Sequence, residues 1–144
     1  MASGNALKRL PLSALLAVLA LSAASAQEAS SAWTIEGGRW QQGAGGGAYR
    51  IVVEHVGFEH VSCRVGIAWM SAPLQGRTAA VLAEVPFAEL SNGFWACDAD
   101  AEGVRLDGDV LAVRATHTYS GQPRTFTVRL GTPGRYRCED CGAP

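Results

Sequence analysis

The sequence predicts an all-β domain, a small antiparallel β-sandwich or barrel of about eight or nine short strands. Three observations predict it. Apolar residues alternate with polar ones through much of the chain, turn residues recur at short intervals, and no stretch keeps a helical period. Alternation is diagnostic because successive strand side chains point to opposite faces, so a period of two buries one face and wets the other.

Taken in order, Trp33 and Ile35 alternate with Thr34 and Glu36. Residues 37–48 are rich in glycine and predict a long loop. Tyr49, Ile51, Val53 and His55 then share one face of a strand, and Val61, Cys63, Val65, Ile67 and Trp69 share one face of the next. Ala72-Pro73 and Gly76 mark a turn, and the apolar run 78–85 predicts a buried strand ended by Pro86. Residues 87–90 suit one helical turn before Ser91-Asn92-Gly93, after which 93–97 form a strand carrying Phe94 and Trp95. Asp107-Gly108 predicts a type I′ hairpin joining 104–106 to 109–119, where Leu111, Val113, Ala115, His117 and Tyr119 share a face. Residues 120–123 turn the chain into 124–130, and 135–138 form the last strand.

The N-terminus has the three parts of an export signal. Lys8 and Arg9 provide the positive region, residues 10–21 an apolar run broken only by Pro11 and Ser13, and Ala24-Ser25-Ala26 a cleavage pattern. The run is about a dozen residues, short of the roughly 20 that cross a bilayer. Residues 1–26 are therefore expected to be a cleaved signal peptide, giving a protein secreted or periplasmic and not membrane-embedded. Residues 27–48 would carry the N-terminal strand and glycine-rich loop, and 49–144 the sandwich core, within one domain spanning 27–144. Cleavage moves the formal charge from −1 to −3 and removes the only lysine. The arginines that remain are scattered, which argues against nucleic acid as a partner, because that ligand selects a concentrated basic face.

Four cysteines in an exported domain read first as two disulfides. The favoured pairing joins Cys63 to Cys97 between strands and closes a small ring with Cys138 and Cys141; the alternative sews the tail back onto Cys63 or Cys97. A redox role for Cys138-Glu139-Asp140-Cys141 is disfavoured by its two carboxylates, which raise thiol pKa, and by the strand preceding it. Zinc would need a second paired motif. Cys63 on a strand, followed by Tyr136-Arg137-Cys138, is similar to the immunoglobulin pattern, which implies a sandwich with a tyrosine corner. The likeness stops there, since Trp69 follows Cys63 too closely and only six residues follow Cys138.

Three constellations are candidates for chemistry. Asp98, Asp100, Glu102 and Asp109 fall at the first, third, fifth and twelfth places of a calcium loop, with Gly103 at the sixth. Glu102 and Asp109 depart from the usual residues at their places, and two acidic turns around a short strand give the same spacing. His55 and His117 each lie on the apolar side of a strand and could converge as ligands or as an acid–base pair, although inward histidines are more often core residues. Trp40 in the glycine-rich stretch could contact a partner or a sugar face, against the commoner outcome of packing on its own sheet. No nucleophile elbow, zinc-protease motif or phosphate-cradling loop is present. The reading that results is a non-enzymatic extracytoplasmic binder of a partner protein or surface ligand, with Trp40, His55 and His117 as candidate contacts. Competing classes are an inhibitor of a hydrolase and a metal-dependent protein or enzyme using the histidines or the acidic loop.

Overall fold

The computed structural model of the chain describes Met1, residues 31–57, 61–98, 100 and 102–142. The leader and its cleavage site lie outside the described residues, as does His60, the chain's remaining histidine, which the sequence places beside Glu59 in a connection. Within them the regular elements are nine strands in two antiparallel sheets. The first sheet is a meander of β1 (Ala32–Gln42), β2 (Gly45–Val56), β3 (Ser62–Met70) and β4 (Val81–Pro86). The second contains β5 (Trp95–Cys97), β6 (Val104–Asp107), β7 (Val110–His117), β8 (Pro123–Leu130) and β9 (Tyr136–Asp140). β7, β8 and β9 follow in order, and β5 and β6 share the remaining edge of β7. β5 pairs with residues 115–117 and β6 with residues 110–113, so the segment between them leaves the sheet and returns to it.

Period-two alternation places the core where the sequence predicts it. Tyr49, Ile51 and Val53 of β2 and Cys63, Val65, Ile67 and Trp69 of β3 are buried against Leu111, Val113 and Ala115 of β7 and Phe126, Val128 and Leu130 of β8. Each large apolar side chain removed from water contributes about 1.5–3 kcal/mol before the entropy of ordering it is counted. Polar atoms on these rings find partners across the fold. Trp69 Nε1 donates to the Gly131 carbonyl at 2.9 Å, and Tyr136 Oη donates to Glu89 Oε2 at 2.8 Å while accepting from the Ala88 N–H at 3.0 Å. Burial, then the hydrogen bond and charge of Glu89, raise the Tyr136 phenol above its ordinary pKa; the Ala88 N–H opposes them. Tyr136 thus ties β9 to the turn after β4, although its neighbour Cys138 is not bonded to Cys63.

Four local expectations change. The glycine-rich stretch is a tight hairpin and not a long loop: β1 continues to Gln42, Gly43 turns at φ 57°, and β2 starts at Gly45. Its glycines serve close packing, because a Cβ on Gly47 would collide with the Met70 carbonyl. The run expected to be buried is an edge strand, with Val81 and Leu82 about half exposed and Pro86 as its last residue. An edge position suits Pro86, whose missing N–H costs no ladder bond there. In the β6–β7 hairpin Asp107 pairs with Val110, and only Gly108 of the two central residues has positive φ. That is the type II′ pattern, which places Gly first, in place of type I′. The last strand runs to Asp140, two residues beyond the expected end.

Candidate functional site

β5 is three residues long, and its alternation sets two different surfaces beside each other. Trp95 and Cys97 point inward and are buried. Cys97 is bonded to Cys63 on β3, with their Cα atoms 5.6 Å apart, so this disulfide crosslinks the two sheets. An acidic segment follows Cys97, and an aromatic residue, Phe94, precedes Trp95.

The acidic segment is occupied by arginine. Asp98 Oδ2 accepts from Arg114 Nε, and Asp100 Oδ2 lies 3.8 Å from Arg114 Nη2. Asp100 Oδ1 also accepts from the Glu102 N–H at 3.0 Å and from the Gly103 N–H, the pattern of an Asx turn. A Cβ on Gly103 would strike the Asp98 carbonyl, which accounts for glycine there. Asp109 sits past the far end of β6, four extended residues or roughly 13 Å further along. Its two oxygens accept from Arg129 Nη1 at 3.1 and 3.2 Å. Arg129 Nε also donates to Glu139 at 2.8 Å, and this bond, with that from Arg137, holds the Glu139 carboxyl below its ordinary pKa. The four carboxylates of the calcium-like spacing are therefore split between two arginine-bridged turns. Among the described residues no group of three His, Cys, Asp or Glu side chains is placed to hold a metal ion.

The other candidates have different surroundings. Trp40 is buried, with Nε1 donating to the Met70 carbonyl at 2.9 Å, so the indole packs on its own sheet. His55 lies opposite Cys63 in the β2–β3 register, and its Nε2 is buried without a hydrogen-bond partner among the described residues. Cys138 and Cys141 are bonded to each other at the end of β9, Cα atoms 5.7 Å apart. Arg124 braces this ring: its Nη1 donates to the Gly142 carbonyl, its Nη2 lies 3.5 Å from Asp140, and its guanidinium stands 5.1 Å from the Phe126 ring centre.

His117 has different company. It closes β7 opposite Trp95, with the two rings edge to face at 5.0 Å. Phe94 and Tyr119 flank it, and the three ring centres form a triangle with sides of 6.2, 6.0 and 6.1 Å. The Phe94 and His117 planes are within 3° of parallel. Phe94 is 49% and Tyr119 69% exposed, which makes this the one place where large aromatic rings cluster at the surface of the described residues. Backbone bonds fix the arrangement. Thr118 N–H donates to the Phe94 carbonyl at 2.8 Å, and Gly121 N–H to the His117 carbonyl at 2.8 Å, with Gly121 at φ 69°. Ser120 N–H donates to His117 Nδ1 at 3.2 Å, so the neutral imidazole carries its proton on Nε2.

Strand alternation in the sequence carries a signal for Phe94. Adjacent Phe94 and Trp95 must face opposite sides, so one of them meets solvent. Alternation alone places Tyr119 on the inward face of an unbroken strand; β7 ends at His117, and the turn carries the ring outward. Compared with protein-family models, curated proteins and solved structures, the chain matches none of them.

Proposed function

We propose that the chain acts outside the cytoplasm as a disulfide-crosslinked β-sandwich that binds a partner protein or surface ligand through the Phe94–His117–Tyr119 end, without catalysing a reaction. The observation that carries this reading is the exposure of Phe94 and Tyr119 on a base of buried Trp95 and Cys97. Aromatic rings present large contact area with few rotatable bonds, so rings already held in place lose little freedom on binding. The inter-sheet disulfide lies two residues from Trp95, so the base is covalently fixed to β3. Two disulfides and an expected export signal support an oxidising compartment.

The test is chemical crosslinking of the mature protein in the medium or envelope of cells that make it. Wild-type protein should form adducts that Phe94→Ala/Tyr119→Ala loses, with both proteins equally folded by circular dichroism. Adducts of equal yield from the double variant would move the binding surface elsewhere.

A further inference from the structure

The ligand class can be narrowed from the two segments that form the aromatic end, and the narrowing rests on the binding reading above. We infer that this end is a platform for a neutral saccharide.

Residues 91–95, Ser-Asn-Gly-Phe-Trp, and residues 117–123, His-Thr-Tyr-Ser-Gly-Gln-Pro, contain no Asp, Glu, Lys or Arg. The middle of β7 at Arg114 and its first end at Asp109, by contrast, carry paired charge. These two segments offer no Asp, Glu, Lys or Arg side chain to a phosphate, a uronic acid or a polyamine, and charge complementarity is what usually steers and selects a protein partner. What it does offer is apolar ring faces beside side-chain amides and hydroxyls. Asn92, Ser120 and Gln122 are exposed around Phe94 and Tyr119. Sugars have matching chemistry: one ring face of C–H groups that packs on an aromatic ring, and a rim of hydroxyls that both donate and accept.

Size points the same way. The three ring centres stand about 6 Å apart, the footprint of one or two sugar rings. A stable protein interface covers about 800 Å² on each side and depends on a wide rim around its aromatic centre. Phe94 and His117 are stacked with parallel planes, and the Tyr119 ring is tilted against both, so ring faces of more than one orientation meet at this end. His117 Nε2–H adds a donor at the same place. Tyr119 supplies the ring face most open to solvent.

The experiment is a titration, followed by amide NMR, of the oxidised mature domain with neutral saccharides spanning glucose, galactose, mannose, xylose and N-acetylglucosamine units, with galacturonic acid oligomers as the charged control. The expected result is saturable binding of at least one neutral series, with shifts concentrated at 92–95 and 117–122. Tyr119→Phe should bind as wild type, and Tyr119→Ala should weaken binding about tenfold or more. Binding of the acidic oligomers alone, or equal binding by Tyr119→Ala, would overturn the proposal. So would absence of binding across the neutral panel. If crosslinked adducts still depend on Phe94 and Tyr119 in that last case, the binding reading stands and the saccharide assignment fails.

Discussion

Two regions along β7 show how differently a fold can treat residues that look functional. Asp109 precedes the first residue of β7, and Asp98 and Asp100 lie beside Arg114 at mid-strand; these carboxylates are the densest chemical signal in the sequence, and the fold pairs them with Arg129 and Arg114. At the last residue of β7 are Phe94, His117 and Tyr119, an unremarkable set in the sequence, which the fold gathers and leaves open. The disulfided Cys97 sits between the two. Residue type alone therefore says little about function until the neighbours are known: the carboxylates are bridged to arginine, whereas Phe94 and Tyr119 keep 49% and 69% of their surface exposed.

The largest effect should come from removing what the two ends share. Closing a loop of 34 residues, the Cys63–Cys97 bond contributes about 3–4 kcal/mol through the unfolded chain. Cys63→Ala/Cys97→Ala should lose about that much in urea denaturation, and hydrogen exchange should speed up at 94–98 and 114–118 together. If exchange changes in one of these segments only, the disulfide does not couple them. The Cys138–Cys141 ring encloses only a few residues, so its removal should cost less by the same measure.

Much of the fold was legible in advance. Alternation in 49–53, 63–69, 111–115 and 126–130 identifies the buried face of β2, β3, β7 and β8, because one buried face enforces a period of two; Val61, expected on that face, precedes β3 and is exposed. The disulfide pairing also follows the favoured reading. The exceptions have physical causes. Glycine at Gly45, Gly46 and Gly47 looks like flexibility in composition, but here Gly47 lets β2 approach the chain at Met70 and Ser71, and Gly46 packs against the Trp40 carbonyl. Apolar residues in β4 look like core, yet burial depends on which strand closes the sheet, which is a matter of topology. The site was less legible. His117 was visible as an inward residue, but Phe94 and Tyr119 reach it from separate turns, and that convergence is set by the pairing of β5 with the last residues of β7.

An intermediate effect is expected at the charged end. Arg114→Ala removes the partner of Asp98 and Asp100 and should lower the denaturation midpoint modestly, because exposed ion pairs are screened by water. It should leave crosslinked adducts unchanged; loss of adducts would mean that the acidic turn takes part in binding. Acid should act on the same end. The carboxyl of Glu139 titrates below its unfolded value because of Arg129, so its contribution is present above the ordinary glutamate range and lost as pH falls through and below it. Stability measured from pH 7 downward should decline in that window, and Glu139→Gln should flatten the decline slightly. An unchanged slope would remove Glu139 from the account.

The smallest stability effect belongs to the aromatic end. Phe94→Ser and Tyr119→Ser each replace an exposed ring and should shift stability within about 0.5 kcal/mol, the usual range for surface sites. A loss of several kcal/mol would show that these rings are structural and would remove the contrast between the two ends.

The most direct measurement compares two photocrosslinking positions on otherwise wild-type protein. A photoreactive residue at Gln122 reports on the aromatic end, and one at Arg105 reports on the acidic end; both side chains lie in segments already fixed by backbone pairing or turn bonds. Irradiation in the native medium or envelope should give ligand adducts from position 122 and none above background from position 105. Adducts from 105 alone, or equal yields from both, would contradict the assignment of binding to the Phe94–His117–Tyr119 surface.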